Sequence, residues 1–455
     1  MRCDAMKTRL SAALFVSALL AGCASYTPQP MHPDRTADAL AGRTLSDPRL
    51  LRFLAVQLHK SGAPPWNLST LSLVAAYERP DMPLAEARLL QAKGGETTAA
   101  ALPNPSLQLA PTYDTTTTAP PWTVGPVVTF LIQSYGARPA RIAQARARTE
   151  QAREAIAVTA WQLRGQVRTA MLDLWAAQQA AALAAQRASL AKRYREVVAQ
   201  RYQAGMVSAA TLTTTTLVLN QAELELASQR RASRLGRASL AAALGVPTTA
   251  LDGIDLDMRG IAHPRQPGRL EPLVHAALTS RPDVLAALAH YAAAEAALRL
   301  AVAQQYPGID IGPGYHYDQG DNKFILSISL PLPILNQNQG PIAQARAARR
   351  VAAEEFLATQ TNVLAEIDQA RTDWYASVSE LDSARRLRKT AADALKREQD
   401  AFAAGQIGRL RILGARLAYV QAQQGALSAS VHERNALGRL EAAFYHPFLV
   451  AKRSQ

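Results

Sequence analysis

Few residues in this 455-residue chain stand at spacings that do chemistry. The clearest is Cys23, which closes LAGC (Leu20–Cys23) behind a short basic segment and an apolar run starting near Met6. That order marks residues 1–22 as a secretory signal peptide. Met6 is an alternative start to Met1, and a start there excludes Cys3, the one other cysteine. Two such cysteines make neither a disulfide framework nor a zinc site. The eight histidines are scattered, with no His-x-x-x-His pair and no Cys/His cluster. His316 falls near a strand end as a lumen or loop residue, and Glu354 and Glu355 are helix-surface charges. With no phosphate-cradling glycine loop, nucleophile elbow or paired catalytic carboxylates, the sequence points away from an enzyme and calls for no cofactor or metal.

LAGC resembles the bacterial lipobox. That resemblance implies cleavage before Cys23 and acylation of its sulfur and new amino group by fatty acid, palmitate among them. Ala24 follows, and in such lipoproteins the absence of aspartate there goes with outer-membrane sorting. The net charge of +14 first suggests nucleic acid. The arginines, however, are spread among glutamates and glutamines along helical stretches, without an aromatic-interleaved patch, so nucleic acid is not expected as a partner.

The elements that carry these residues come in two copies. IAQARA occurs at Ile142–Ala147 and again at Ile342–Ala347. At the same offset Val167 meets Ile367, Asp173 meets Asp373, and Gly205 meets Gly405. RPD at Arg79–Asp81 recurs at Arg281–Asp283. The expected organisation is an N-terminal tether and equatorial segment over 23–65, with a short helix near Asp47–Lys60. A first repeat follows over 66–246, a linker over 247–270, a second repeat over 271–446 and a tail over 447–455. Each repeat opens on a helix, 81–103 and 281–305, and closes on a pair of long helices, 139–204 with 208–244 and 341–404 with 407–444. Leu163, Val167, Ala170, Leu174, Ala177 and Ala181 step by 4 and 3, as do Val363, Ile367, Ala370, Trp374, Ser377 and Leu381. This is a coiled-coil seam, and it makes Trp374 a packing residue.

Between the helices lie strands, near 106–114 and 122–134, then 308–318 and 323–333. Ile309, Ile311, Pro313, Tyr315 and Tyr317 share one face, and Asp310, Gly312, Gly314, His316 and Asp318 the other. Phe324, Leu326, Ile328 and Leu330 alternate in the same way with Lys323, Ile325, Ser327 and Ser329. An apolar face ending in aromatics opposite a polar one fits an outer-membrane barrel wall. No later run is long and apolar enough for a membrane helix. Four strands cannot close a barrel with room inside, and an open edge cannot sit in lipid. Three chains would supply twelve strands, enough for a passage.

The duplicated halves, the block Arg281–Arg350 and the tips RYQAGMVS and AFAAGQIG resemble the TolC-type outer-membrane efflux proteins, in a lipoprotein member closest in look to the heavy-metal and multidrug branch. The resemblance covers about Trp66 to Phe444. It implies a mainly α fold with membrane β: a homotrimer with a helical barrel of long antiparallel coiled coils and a twelve-strand β-barrel, four strands per chain. It implies passive export of solutes delivered by an inner-membrane pump, of the RND type, through a periplasmic membrane-fusion adaptor. Gly205, Met206 and Val207, with Gly405, Gln406 and Ile407, match the hairpin tips that meet the adaptor. Thr211 and Arg411 stand where the family often carries entrance aspartates, with Asp400 the nearest acidic substitute. Arg409 and Arg411 are then expected to make the pore entrance less cation-selective. The remaining alternatives are a lipid-anchored periplasmic scaffold without a pore and an exit duct for secreted polypeptides.

Overall fold

The computed structural model describes residues 26–448, apart from residues 60, 61, 63, 117–120 and 319. The signal peptide, Cys23 and the tail beyond residue 448 lie outside the described residues. The chain divides into two units, one ending at Arg43 and one beginning at Thr44. Within the first, α1 (Pro33–Ala41) forms in a proline-rich stretch that reads as irregular in the sequence. Pro33 sits at its first turn, where a missing N–H costs nothing.

The second unit is built on four long helices. α2 (Pro48–Leu58), α3 (Leu68–Glu78) and α4 (Asp81–Ala100) lead into the first strands. α5 (Ala137–Gln203) and α6 (Ala209–Leu244) form the first hairpin. A 3₁₀ turn at Thr248–Leu251 and the one-turn α7 (Arg259–Ala262) lead to α8 (Glu271–Ser280) and α9 (Pro282–Ala303). α10 (Gln339–Ala403) and α11 (Arg409–Phe444) form the second hairpin. At 1.5 Å per residue, the 67 residues of α5 and the 65 of α10 each run about 100 Å.

The long helices pair as the seam requires. All six second-repeat seam residues, from Val363 to Leu381, are buried, as are Leu163, Val167, Ala170 and Leu174 of the first. α5 packs on both α6 and α11, and α11 on α10, giving the lateral order α6–α5–α11–α10. Beyond the ends of α6 and α11 the order becomes α4–α5–α9–α10. So α5 and α10 run through both levels, while α4 and α9 continue the lines that α6 and α11 begin.

Short elements cover one face of this helical layer. Leu50, Leu54, Leu71 and Val74 of α2 and α3 bury Val167, Met171 and Leu174 of α5 together with Leu240 and Leu244 of α6. Leu270 and Ala277, before and within α8, bury Val363, Ile367 and Trp374 of α10 with Leu437 and Leu440 of α11. The stretch Glu271–Ala303 is long and apolar enough to cross a membrane, where the sequence reading expected no such run. It is two helices, broken at Arg281–Pro282, and α9 packs along α5 and α10.

The strands form one antiparallel sheet. β1 (Ser106–Leu109) and β2 (Thr112–Tyr113) are one strand interrupted at Ala110–Pro111, and β3 (Trp122–Val124) and β4 (Pro126–Ile132) one interrupted at Gly125. β5 (Ile309–Asp318) and β6 (Asp321–Ser329) are continuous. The register crosses both breaks unchanged: Ser106 pairs with Thr129 and Thr112 with Thr123, while Ile132 pairs with Ile309 and Thr123 with Asp318. The first two strands thus break inside the ranges expected for them. The last ends at Ser329 because Pro331 and Pro333 cannot donate to a ladder.

Candidate functional site

Three places carry the functional geometry: the sheet, the joints between the two helical levels, and the hairpin tips.

The register sorts the sheet into two faces. Ile311 stands opposite Ile328, Pro313 opposite Leu326 and Tyr315 opposite Phe324, while Phe130 meets Ile311 and Leu107 meets Val128. Leu107, Phe130, Leu326 and Ile328 are exposed on this face and Phe324 is 87% exposed, while Val128, Ile311 and Tyr315 are half-buried. The other face carries the sheet's polar side chains, together with Val127, Leu131 and Ile325. The Lys323 Nζ donates to Asp318 at 2.7 Å, as does the Thr123 hydroxyl at 2.8 Å, and Ser327 Oγ donates to the Gly312 carbonyl at 3.0 Å. His316 lies on this face, opposite Lys323. At Gly125 the backbone runs so close to β5 that a Cβ would fall 1.8 Å from the Tyr315 carbonyl oxygen. Among the described residues the β1/β2 strand pairs only with β3/β4, and β6 only with β5, so both outer edges present backbone groups without a strand partner along one side.

The joints explain the repeated RPD. Each arginine stands where one helix ends and the next in line begins. The Arg281 guanidinium donates to the Ala443 carbonyl at 2.7 Å, in the last turn of α11. It also pairs with Asp283, in the first turn of α9, at 2.6 and 3.0 Å, and with Glu366 of α10 at 3.0 Å. A cation at a helix C-terminus and an anion at the following N-terminus both match the macrodipole. Arg79 repeats this with Asp81 at 2.9 Å and with Gln166 of α5. The helix ending at the joint closes in a left-handed residue each time, Gly245 at φ 75° and Tyr445 at φ 49°. Tyr445 stacks on Trp161, ring centroids 5.3 Å apart, with Arg281 over its ring at 4.6 Å. A second cluster ties α5 to α11. The buried Arg168 donates to the Arg434 carbonyl at 2.8 Å and lies 3.3 Å from Glu441, which also receives Arg164 at 3.2 Å and the Phe448 N–H at 2.9 Å. Burial pushes the Arg168 guanidinium below its usual value and Glu441 opposes that shift. The sequence carried a signal for the joints, an Arg two residues before an Asp at a helix start, twice. It carried none for the Arg168 cluster.

The tips are near-copies. Gly205 and Gly405 both take φ 71°. The Met206 N–H reaches the Arg201 carbonyl at 2.8 Å, and the Gln406 N–H the Ala401 carbonyl at 2.9 Å. Each tip therefore closes its helix by a six-to-one bond past a left-handed glycine. Met206 is exposed, while Val207 and Ile407 are half-buried. Ser208 then caps α6, accepting the Thr211 N–H at 3.2 Å. The four entrance candidates all lie within this end. Thr211, Asp400 and Arg409 are exposed, and Arg411 is held by Glu398 in a two-pronged pair of 2.8 and 2.9 Å that the sequence did not disclose.

A polar sheet face backed by a bare apolar one, above duplicated helical hairpins some 100 Å long, defines an outer-membrane channel protein that reaches into the periplasm. The chain belongs to the outer membrane efflux protein family, which it matches over residues 72–246 and 273–444. It is 27% identical over 372 residues to the cobalt-zinc-cadmium resistance protein CzcC of Cupriavidus metallidurans, covering 80% of this chain and 86% of that one. Its fold matches the outer membrane protein VceC of Vibrio cholerae with a TM-score of 0.68 at 20% identity, covering 84% of this chain and 96% of that chain. The outer-membrane channel OprN gives 0.68 at 16% identity, covering 94% and 99%. This protein is the outer-membrane component of an efflux system.

Proposed function

We propose that three copies of this chain close one conduit, a twelve-strand barrel in the outer membrane continued by a helical tunnel through the periplasm. The observation that carries this is the four-stranded sheet with two unpaired edges and a bare apolar face. Unpaired N–H and C=O groups cannot stay in hydrocarbon, so β6 of one protomer pairs with the β1/β2 edge of the next. The helices support the same closure. Leu217, Leu224 and Leu235 of α6 are exposed, as are Leu357, Leu364 and Tyr375 of α10, and these are the two outer helices of the layer. Buried against a neighbouring copy, they join the protomers into a ring of helices four per chain.

In this reading solutes cross passively, delivered by an inner-membrane pump of the RND type through a periplasmic membrane-fusion adaptor. The adaptor docks on Gly205, Met206 and Val207 and on Gly405, Gln406 and Ile407. Thr211, Asp400, Arg409 and Arg411 line the periplasmic entrance. Cys23, acylated after cleavage of residues 1–22, anchors each chain in outer-membrane lipid. The likeness to CzcC supports metal ions among the exported solutes.

The purified protein, added to planar bilayers, is expected to open stepwise ohmic conductance. Protein that partitions into water rather than detergent and opens no conductance would favour a coiled-coil scaffold and end the channel reading.

A further inference from the structure

Resting on the three-copy reading and deepening it, we infer that each chain joins the next by a copy of its own α5–α11 joint, in the register of the internal repeat. α10 of one protomer takes the place of α5, and α6 of the next takes the place of α11. The partner's Arg234 then lies over the Tyr375 ring and beside Asp368.

The repeat register holds through both hairpins without a gap. α6 and α11 each run 36 residues and end on a left-handed residue, Gly245 and Tyr445. Buried positions match along them: Ala222 with Ala422, Leu240 with Leu440 and Leu244 with Phe444. Inside the chain, α5 of the first hairpin packs on α11 of the second. The corresponding surfaces of α10 and α6 lie at the two ends of the helical layer, with α5 and α11 between them. A second copy of the chain has to bring them together.

The residues at these two ends fit the joint they would make. Within the chain, Arg434 lies over the Trp175 ring at 4.8 Å. Their counterparts are Arg234 and Tyr375, again an arginine and an aromatic ring, and both are exposed. Arg168 donates to the Arg434 carbonyl at 2.8 Å. Its counterpart is Asp368, exposed, with Arg371 of its own helix at 3.2 Å. An aspartate accepts where Arg168 donates, so it meets the partner's Arg234 through that side chain's charge. Gly438 leaves the space that Arg168 fills, since a Cβ there would fall 1.9 Å from a guanidinium nitrogen. The shorter Asp368 needs no such space, and the counterpart of Gly438 is Ala238. Further along, Ala180 and Val431 line one groove between α5 and α11. Their counterparts are Glu380 and Arg231, both exposed and opposite in sign. α6 thus presents Arg231 and Arg234 at the heights where α10 presents Glu380, Tyr375 and Asp368.

Photo-crosslinking of the full-length protein in detergent tests this, with p-benzoylphenylalanine in place of Tyr375. The expected product joins two chains and maps by mass spectrometry to α6 around the partner's Arg234. The same probe in place of Trp175 is the control, and should link within one chain to α11 around Arg434. Charge reversal reads the contact without a probe. R234E and D368R should each weaken association about ten-fold at every joint, and R234E/D368R should restore it. A three-copy particle in which the probe at 375 links to another segment would overturn the register, as would one in which it links to none while the control succeeds. Single reversals that associate like the unaltered protein, or a double variant no better than either single, would overturn it as well. Unaltered protein that stays single-copy in detergent would overturn the three-copy reading itself, and this inference with it.

Discussion

Replacing Arg281 by alanine removes the splice between α11 and α9. The guanidinium is 5% exposed and has four partners. Its charge-assisted bond to the Ala443 carbonyl contributes about 2 kcal/mol, and the loss leaves an unmet acceptor at a helix end. The contact with the Tyr445 ring adds about 1 kcal/mol. Asp283 and Glu366 are 31% and 56% exposed, so solvent takes over much of their pairing and each adds about 0.5 kcal/mol. Deleting a buried cation returns about 1 kcal/mol of desolvation. The net loss is about 3 kcal/mol. With an unfolding entropy of about 2.1 cal/mol/K per residue over a chain of this length, that lowers the melting midpoint by about 3 °C. Far-UV circular dichroism of the detergent-solubilised protein at one fixed scan rate reads it. Arg79→Ala is the internal control: its partners are Asp81 and the neutral Gln166, and the expected drop is about 1 °C. If Arg281→Ala melts with the unaltered protein, or above Arg79→Ala, the helix-joint account of the RPD repeat fails.

At Gly438 an added Cβ would fall 1.9 Å from an Arg168 nitrogen, so Gly438→Ala should drive Arg168 off Glu441 and lose about 3 kcal/mol in urea unfolding, whereas Gly425→Ala, mid-helix with nothing within 4 Å, should gain up to about 1 kcal/mol. Gly125→Ala forces β3 and β4 off β5 and should abolish heat-modifiable gel mobility while leaving the helical spectrum in place; retention of that mobility would contradict the register. Burial raises the Asp173 carboxyl above its ordinary value. A raised folded-state value favours the protonated fold, so its contribution is full at acid pH and is lost as pH rises through that value. Asp173→Asn should therefore gain stability relative to the unaltered chain as pH climbs past the carboxylate range, and a melting difference flat from acid to neutral pH would refute this.

Much of the fold was legible because it rests on period. The seam from Val363 to Leu381 is buried residue for residue, since steps of 4 and 3 on a helix leave one stripe to bury. The strands announced themselves by alternation, and their pairing kept the apolar side chains on one face. What stayed hidden lacks a period or lies across a turn. α3 buries Leu71, Val74, Ala75 and Glu78 on one face, but its other face carries Leu73, Ala76 and Tyr77, so the sequence shows no amphipathic stripe. α8 is short and starts behind a Gly- and Pro-rich linker. At the entrance, Arg411 was visible as a charge, but its partner lies 13 residues back across a reversed chain, and only the turned hairpin brings them together. The RPD triplets were visible as repeats, yet their role needs the end of another helix, 162 residues away for Arg281.

The claim on which the channel rests is that one chain supplies only part of a membrane wall. The most direct measurement is the detergent-corrected mass of the extracted protein by light scattering, taken with its circular dichroism. Three copies per particle, with sheet signal present and lost on dissociation, is the expected result. A single-copy particle that keeps its full sheet signal would contradict it.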